Sequence, residues 1–166
     1  MKNVAILTVS DRSARGERED LSGPALALAS ERAGFTVAAR EIVPDDRDAI
    51  ERRLRSFADS GRVQLVLTTG GTGVGPRDVT PEATLAVVER RVPGLAEAMR
   101  AKSLAVTPHA VLSRAEAGVR GCCLIVNLPG SPDGAVECFH VIAPALDHAI
   151  QLLAGEDPDG NAHSSN

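Results

Sequence analysis

The sequence predicts an α/β fold in three layers: a mostly parallel sheet with helices on both faces. Three observations predict it. Short apolar runs recur at residues 4–9 (VAILTV), 35–43 (FTVAAREIV), 63–69 (VQLVLTT) and 122–128 (CCLIVNL), and runs of this length suit buried strands. Segments of helical spacing separate them, and strands alternating with helices argue for a parallel sheet. Four of the runs end in polar or glycine-rich turns: Ser10 and Asp11, Asp45 and Asp46, residues 70–78, and residues 127–131. If those strands are parallel, the four turns share one edge, and in such sheets ligands sit outside the carboxyl ends of the strands.

Taken in order, residues 4–9 form the first strand. Residues 11–20 (DRSARGERED) are too long and charged for a tight turn. They form either a solvated surface loop or a mobile one whose Arg12, Arg15 and Arg18 meet an anionic ligand, and the residues leave both readings open. Ser22 is placed to cap a helix running to Arg32, with Pro24 in its first turn and Gly34 as a stop. Residues 35–43 are the second strand. The next helix carries Ile50, Leu54, Phe57 and Ala58 on one face, at spacings of four, seven and eight, and Gly61 ends it.

The third strand leads through a glycine loop into a helix that Thr80 could cap and Pro81 could start, with Leu85 and Val88 facing inward. Residues 92–94 (VPG) break it, and a further helix spans about 95–104. Residues 110–113 and 122–128 are apolar runs joined by a polar segment. The closing helical region covers residues 134–153, where Pro144 should break or kink it. A polar tail, 155–166, is expected to be disordered. Residues 1–154 are expected to form a single domain.

Composition narrows the function classes. The chain has 166 residues and a net charge of −4, so no overall basic field is present to hold nucleic acid. Three Phe and no Trp or Tyr argue against base-stacking platforms. No apolar run reaches membrane-spanning length, and no basic-then-apolar leader precedes the first strand. The odd set Cys122, Cys123 and Cys138 contains no C-x-x-C, which points to reduced, buried thiols and a cytoplasmic setting. His109, His140, His148 and His163 show no metal-ligand spacing, and Ser113 has no His–Asp partner suggested by the chain.

The richest stretch is residues 70–84 (GGTGVGPRDVTPEAT). Gly70, Gly71, Gly73 and Gly75 lie between a strand and a helix, where exposed amide N–H groups can bind a phosphate. The loop is neither a Walker A sequence nor the dinucleotide fingerprint. Asp78 stands at its end, and a carboxylate beside a phosphate site calls for a bridging cation, of which Mg²⁺ is the natural choice. Asp45 is the second candidate carboxylate. On its own, Pro-Asp-Asp after a strand reads more readily as a helix cap. Arg77 could add a charge-assisted contact to an anion.

Several ordered blocks resemble one family: TVSD (8–11), VPDD (43–46), GGTG and PRDVTPEAT (70–84), PGLAEAMR (93–100), LSRAEAGVRG (112–121) and NLPGSP (127–132). Together they resemble the molybdopterin adenylyltransferases of molybdenum cofactor biosynthesis, the bacterial MogA proteins and the G domains of gephyrin, over nearly the whole chain.

The resemblance implies a Rossmann-type sheet and an enzyme that uses MgATP to convert molybdopterin to adenylyl-molybdopterin with release of pyrophosphate. It places the family's two functional aspartates on Asp45 and Asp78, which would carry Mg²⁺. It places the family's glycine-loop threonine on Thr72, two pterin-region serines on Ser103 and Ser113, and a strand-end asparagine on Asn127; the converging strand ends and glycine loop add Ser10, Asp11, Gly70, Gly71, Gly73, Arg77, Pro129, Gly130 and Ser131 as substrate-binding candidates. It also implies a homotrimer and a separate, MoeA-like partner that inserts molybdate. The related MoaB proteins share GGTG but differ after it, so a molybdopterin-binding or scaffold module without transferase activity is the alternative. A nucleotide pyrophosphatase like the competence-damage domains ranks last.

Overall fold

The structure, a computed structural model, describes residues 2–157. Its elements in chain order are β1 (Asn3–Val9), α1 (Asp11–Ala14), α2 (Ser22–Arg32), β2 (Thr36–Val43), α3 (Arg47–Asp59), β3 (Leu65–Thr69), α4 (Thr80–Val87), β4 (Arg90–Arg91), α5 (Pro93–Leu104), a 3₁₀ turn (Pro108–Leu112), β5 (Ala117–Arg120), β6 (Cys123–Leu128) and α6 (Pro132–Leu153). One sheet of six strands has the order β2-β1-β3-β6-β5-β4. β2, β1, β3 and β6 are mutually parallel. The hairpin β5–β6 and the short β4 add an antiparallel edge.

The apolar runs are strands because both of their faces are covered. In β1, Val4 and Ile6 join Leu26, Phe139, Ile142 and Leu146 on the α2–α5–α6 side. The alternating Ala5, Leu7 and Val9 join Ile50, Leu54, Phe57 and Val87 on the α3–α4 side. β3 divides in the same way, Leu65 and Leu67 against Val66. A strand with period-two burial and apolar neighbours on both sides reads as an unbroken apolar run. β2 lies at the sheet edge, and its residues are only exposed or half-buried.

Several local expectations are corrected. Residues 11–20 begin with the short helix α1, capped by Ser10, whose Oγ accepts from the Ser13 N–H at 3.2 Å. Ser22 does not cap α2: its hydroxyl donates to the Gly130 carbonyl at 2.6 Å, and Asp20 accepts the Gly23 N–H instead. Thr80 likewise lies inside α4 and donates to the Gly70 carbonyl at 2.9 Å. Leu85 is exposed, and Ala83, Thr84 and Val87 face the core, because α4 starts at Thr80 and turns that face inward. β5 lies within the segment read as polar. Cys122 is exposed, whereas Cys123 and Cys138 are buried.

Pro144 neither breaks nor ends α6, which runs unbroken for 22 residues from Pro132. Of the tail expected to be disordered, positions 158–166, His163 among them, lie outside the described residues.

Candidate active site

The chain runs from β1 outward to β2, then returns to place β3 on the other side of β1. The carboxyl ends of β1 and β3 therefore diverge at a topological switch point, the place where such sheets bind ligands. A cavity of about 350 Å³ opens there. Thr8, Val9 and Ser10 come from the end of β1, Asp45 from the turn after β2, Gly70, Gly71 and Asp78 from the loop after β3, and Gly130, Ser131 and Pro132 from the turn after β6. The segment 18–22 closes one side with Arg18, Glu19 and Asp20.

Asp45 and Asp78 thus line one cavity, and the glycine loop makes this possible. Gly70 holds φ +104°, and a Cβ there would collide with the Val9 carbonyl oxygen. Gly71 holds φ +68°, and a Cβ there would strike Thr80 Oγ1 and come within 3.1 Å of Asp45 Oδ1. Only glycine lets the backbone fold this closely over β1 and the aspartate.

The question left by Pro-Asp-Asp is resolved by α3. Asp46 is the N-cap and accepts the Ala49 N–H at 2.8 Å, which frees Asp45 to turn toward β1. Asp45 Oδ2 accepts the Asp11 N–H at 2.8 Å, and Asp11 Oδ1 accepts the Asp45 N–H at 3.0 Å. Burial pushes the Asp45 carboxyl above the usual aspartate range. The Asp11 N–H works against that shift, and the charges of Asp11 and Asp78 add to it. Asp78 Oδ2 accepts the Gly75 N–H at 2.9 Å.

Asp11 itself is turned away from the cavity. Arg77 grips its carboxylate with two hydrogen bonds of 3.0 Å each, which hold Asp11 below the ordinary range. Arg77 and Asp11 therefore brace the glycine loop against β1 and do not line the cavity. Asp20 accepts from Thr8 Oγ1 at 2.8 Å and from the Gly23 N–H at 2.9 Å. Of the three arginines of the 11–20 segment, Arg15 pairs with Glu17 and Arg18 reaches the cavity wall.

A second cavity, of about 300 Å³, adjoins the first. Ser131 lines both, and its Oγ caps α6 by accepting the Gly134 N–H at 3.2 Å. Thr72, Gly73 and Pro129 form the wall toward the first cavity. Met99 and Ser103 of α5, Val106, Ala110 and Leu112 around the 3₁₀ turn, Ser113, and Cys138 of α6 are among the others that line it. Its lining is mainly apolar, with a few polar groups, as small-molecule sites usually are. Ser103 Oγ lies 3.5 Å from Cys138 Sγ, and burial raises the Cys138 thiol.

Asn127 also borders this cavity, but its side chain is already engaged. Nδ2 donates to Thr68 Oγ1 at 3.0 Å and Thr84 Oγ1 at 2.8 Å, and Oδ1 accepts the Glu116 N–H at 3.1 Å. All three partners are fixed parts of the fold, and Asn127 itself is fully buried. It ties the ends of β3 and β6 to α4.

Sequence reasoning missed Asp20, Ser22, Met99 and Arg100 at the cavity walls. Ser22 and Asp20 look like no more than cap and loop in the sequence. The spacing of Met99 and Ser103 on α5 is the available signal for the second cavity.

A family model described as "probable molybdopterin binding domain" matches residues 5–148. The chain belongs to this family. Within it, the molybdopterin adenylyltransferase of Helicobacter pylori strain J99 is 43% identical over 155 residues, covering 92% of this chain and 88% of that protein. That of Escherichia coli K12 is 38% identical, covering 92% and 85%.

Among solved structures, one titled as the molybdopterin biosynthesis enzyme MoaB from Thermus thermophilus is 51% identical with a TM-score of 0.88, covering 94% of this chain and 98% of that one. Relatives named for both the adenylyltransferase and MoaB therefore lie this near. A CinA structure from Thermoplasma acidophilum, 18% identical with a TM-score of 0.67, shares the fold alone.

Proposed function

We propose that the chain is a molybdopterin adenylyltransferase, transferring the adenylyl group of ATP to molybdopterin with release of pyrophosphate in molybdenum cofactor biosynthesis. The single observation that carries this reading is the paired cavity: an acidic, glycine-rich compartment joined through Ser131 to a mainly apolar one. Relatives named for this activity at 38–43% identity over most of the chain support it.

In this reading the triphosphate lies in the first cavity, along Gly71 and Ser10, and against the α6 N-terminus at Gly130 and Ser131. The pterin lies in the second, against Thr72, Ser103, Ser113 and Pro129. Its nucleophilic oxygen meets the α-phosphate where the cavities join. Asn127, Asp11 and Arg77 then act by bracing the walls.

The residues fit a magnesium ion. Asp45 and Asp78 leave oxygens facing one cavity, Asp45 Oδ1 close against Gly71, and burial first, with the charges of Asp11 and Asp78 adding to it, raises the Asp45 carboxyl. Among the described residues no group of three or more His, Cys, Asp or Glu is placed to hold a metal. Magnesium is commonly held by one or two carboxylates, with waters and phosphate oxygens completing its shell. Such an ion would neutralise charge on the departing pyrophosphate. Asp45 and Asp78 would hold it, and the glycine loop would keep the phosphates in line.

The proposal extends to residues 1–154 as the single working unit, a cytoplasmic setting, a homotrimer, and a MoeA-like partner that receives the product. Light scattering of the purified chain tests the trimer.

The experiment for the activity is pyrophosphate release with molybdopterin and MgATP. Release that needs both substrates supports transfer. Release from nucleotide alone contradicts it. One observation favours a binding-only role: the first cavity is lined by four carboxylates (Glu19, Asp20, Asp45, Asp78) against one arginine, Arg18, and repels a bare triphosphate. Calorimetry showing pterin binding and no MgATP binding would establish that role instead.

A further inference from the structure

Arg114 lines neither cavity, yet its bonds reach the walls of both. It lies between Ser113 and Ala115, which border the apolar cavity. Its own backbone N–H donates to the Thr72 carbonyl at 2.8 Å. Its side chain runs along the glycine loop. Nε donates to the Gly73 carbonyl at 2.6 Å, Nη2 donates to the Asp78 carbonyl at 2.7 Å, and Nη1 pairs with Glu82 Oε1 on the first turn of α4. Arg100 holds the same segment from α5, its Nη1 donating to the carbonyls of Ser113 at 3.3 Å and Ala115 at 3.0 Å.

The stretch from Gly70 to Val79 belongs to no helix or strand, so its carbonyls must find partners elsewhere. Arg114 supplies three of them, at Thr72, Gly73 and Asp78. The arrangement uses the fixed, planar fork of a guanidinium, which the single ammonium of lysine cannot reproduce. Glu82 keeps the fork oriented. Burial pushes its carboxyl up, and the Arg114 hydrogen bond, the Glu82 backbone N–H and the charges of Arg114 and Arg47 together outweigh that and hold it below the usual range. Its second oxygen, Oε2, is buried without a partner among the described residues, and the pair with Arg114 helps keep this carboxylate in place.

We propose that Arg114 is a positioning residue that couples the two cavities, so that filling the apolar one fixes the glycine loop and Asp78 for the nucleotide. A ligand against Ser113 and Ala115 settles the segment that carries Arg114, and Arg114 settles the backbone on both sides of Val74 and Arg77. The coupling is reciprocal by thermodynamic necessity: nucleotide tightens pterin binding by the same factor. The inference rests on the assignment of the two substrates given above.

The test measures binding of magnesium α,β-methylene-ATP by calorimetry, with and without molybdopterin, to the wild-type chain and to Arg114→Lys, Arg114→Ala and Glu82→Gln. In the wild type, the pterin is expected to tighten nucleotide binding about five-fold or more. Arg114→Lys and Arg114→Ala bring that ratio close to one while each ligand still binds alone, and kcat falls further than the pterin KM changes. Glu82→Gln gives an intermediate ratio. If Arg114→Ala does not fold, the lysine and glutamine variants carry the comparison.

A folded Arg114→Lys with the wild-type ratio and kcat overturns the proposal. So does a wild-type chain that binds both ligands independently, and the transferase reading then survives. A wild-type chain that binds no nucleotide removes that reading as well.

Discussion

The two cavities are built by opposite means. The acidic one is made of strand ends: Ser10, Asp45, Gly70 and Gly130 all lie within two residues of the last position of β1, β2, β3 or β6. Four hydrogen-bonded parallel strands set their relative positions. The apolar cavity draws half of its lining from α5, the 3₁₀ turn and the start of α6, elements held by side-chain packing. Most groups of the first cavity thus sit at strand ends, with Asp78 carried by the glycine loop, and groups that recognise an apolar ligand sit on helices and turns. The difference predicts that changes in the first cavity act on turnover and changes in the second on affinity for the pterin.

The largest effect is expected from Asp78→Asn. It keeps the side-chain shape and an acceptor for the Gly75 N–H, so the fold persists, while pyrophosphate release falls by about 100-fold or more. Steady-state kinetics with circular dichroism as the folding control checks this.

Asp45→Asn should lower turnover to a similar degree and reveal a conflict between activity and stability. Burial raises the folded-state pKa of Asp45, so this group favours the folded state most at low pH. That contribution is lost as pH rises through its folded pKa. An asparagine does not ionise. At neutral pH the variant should melt no lower than the wild type, and its relative stability should decline as pH falls through the carboxylate range. Melting curves from about pH 3 to about pH 8, a range bracketing the ordinary aspartate value of about 3.9, test the sign.

A smaller effect belongs to the second cavity. Ser103→Ala removes one weak polar contact and should raise the pterin KM several-fold, corresponding to about 1 kcal/mol, with the ATP KM and kcat unchanged. Equal changes in both KM values would erase the distinction between the cavities. The smallest effect should come from Arg77→Ala. Its pair with Asp11 is mostly solvent-exposed on the arginine side, and such pairs contribute little and are screened by salt. Melting temperature should hardly move, and any rise in the ATP KM should shrink at high salt.

Much of the sheet is legible in the sequence because β1, β3 and β6 are buried on both faces and leave unbroken apolar runs. β5 is hidden, since its four residues include Gly118 and Arg120 and it is recognisable only by pairing with β6. Pro144 signals a break that does not occur, because α6 carries through it. The convergence of four strand ends follows from parallel topology alone.

Which aspartate of Pro-Asp-Asp caps α3 does not follow, because either could. The structure separates them by giving the Ala49 N–H to Asp46. Asn127 and Arg77 carry motif positions whose side chains turn out to be committed to Thr68, Thr84 and Asp11. Arg114 stands within LSRAEAGVRG, yet its side-chain partners lie 32 to 41 positions away, and no local pattern announces them.

The division between the cavities is tested most directly by titrating Asp78→Asn separately with molybdopterin and with MgATP in a calorimeter. Pterin affinity equal to that of the wild type, together with weakened MgATP affinity, is the predicted result. Loss of pterin affinity with MgATP binding intact would contradict it and reverse the assignment of the two compartments.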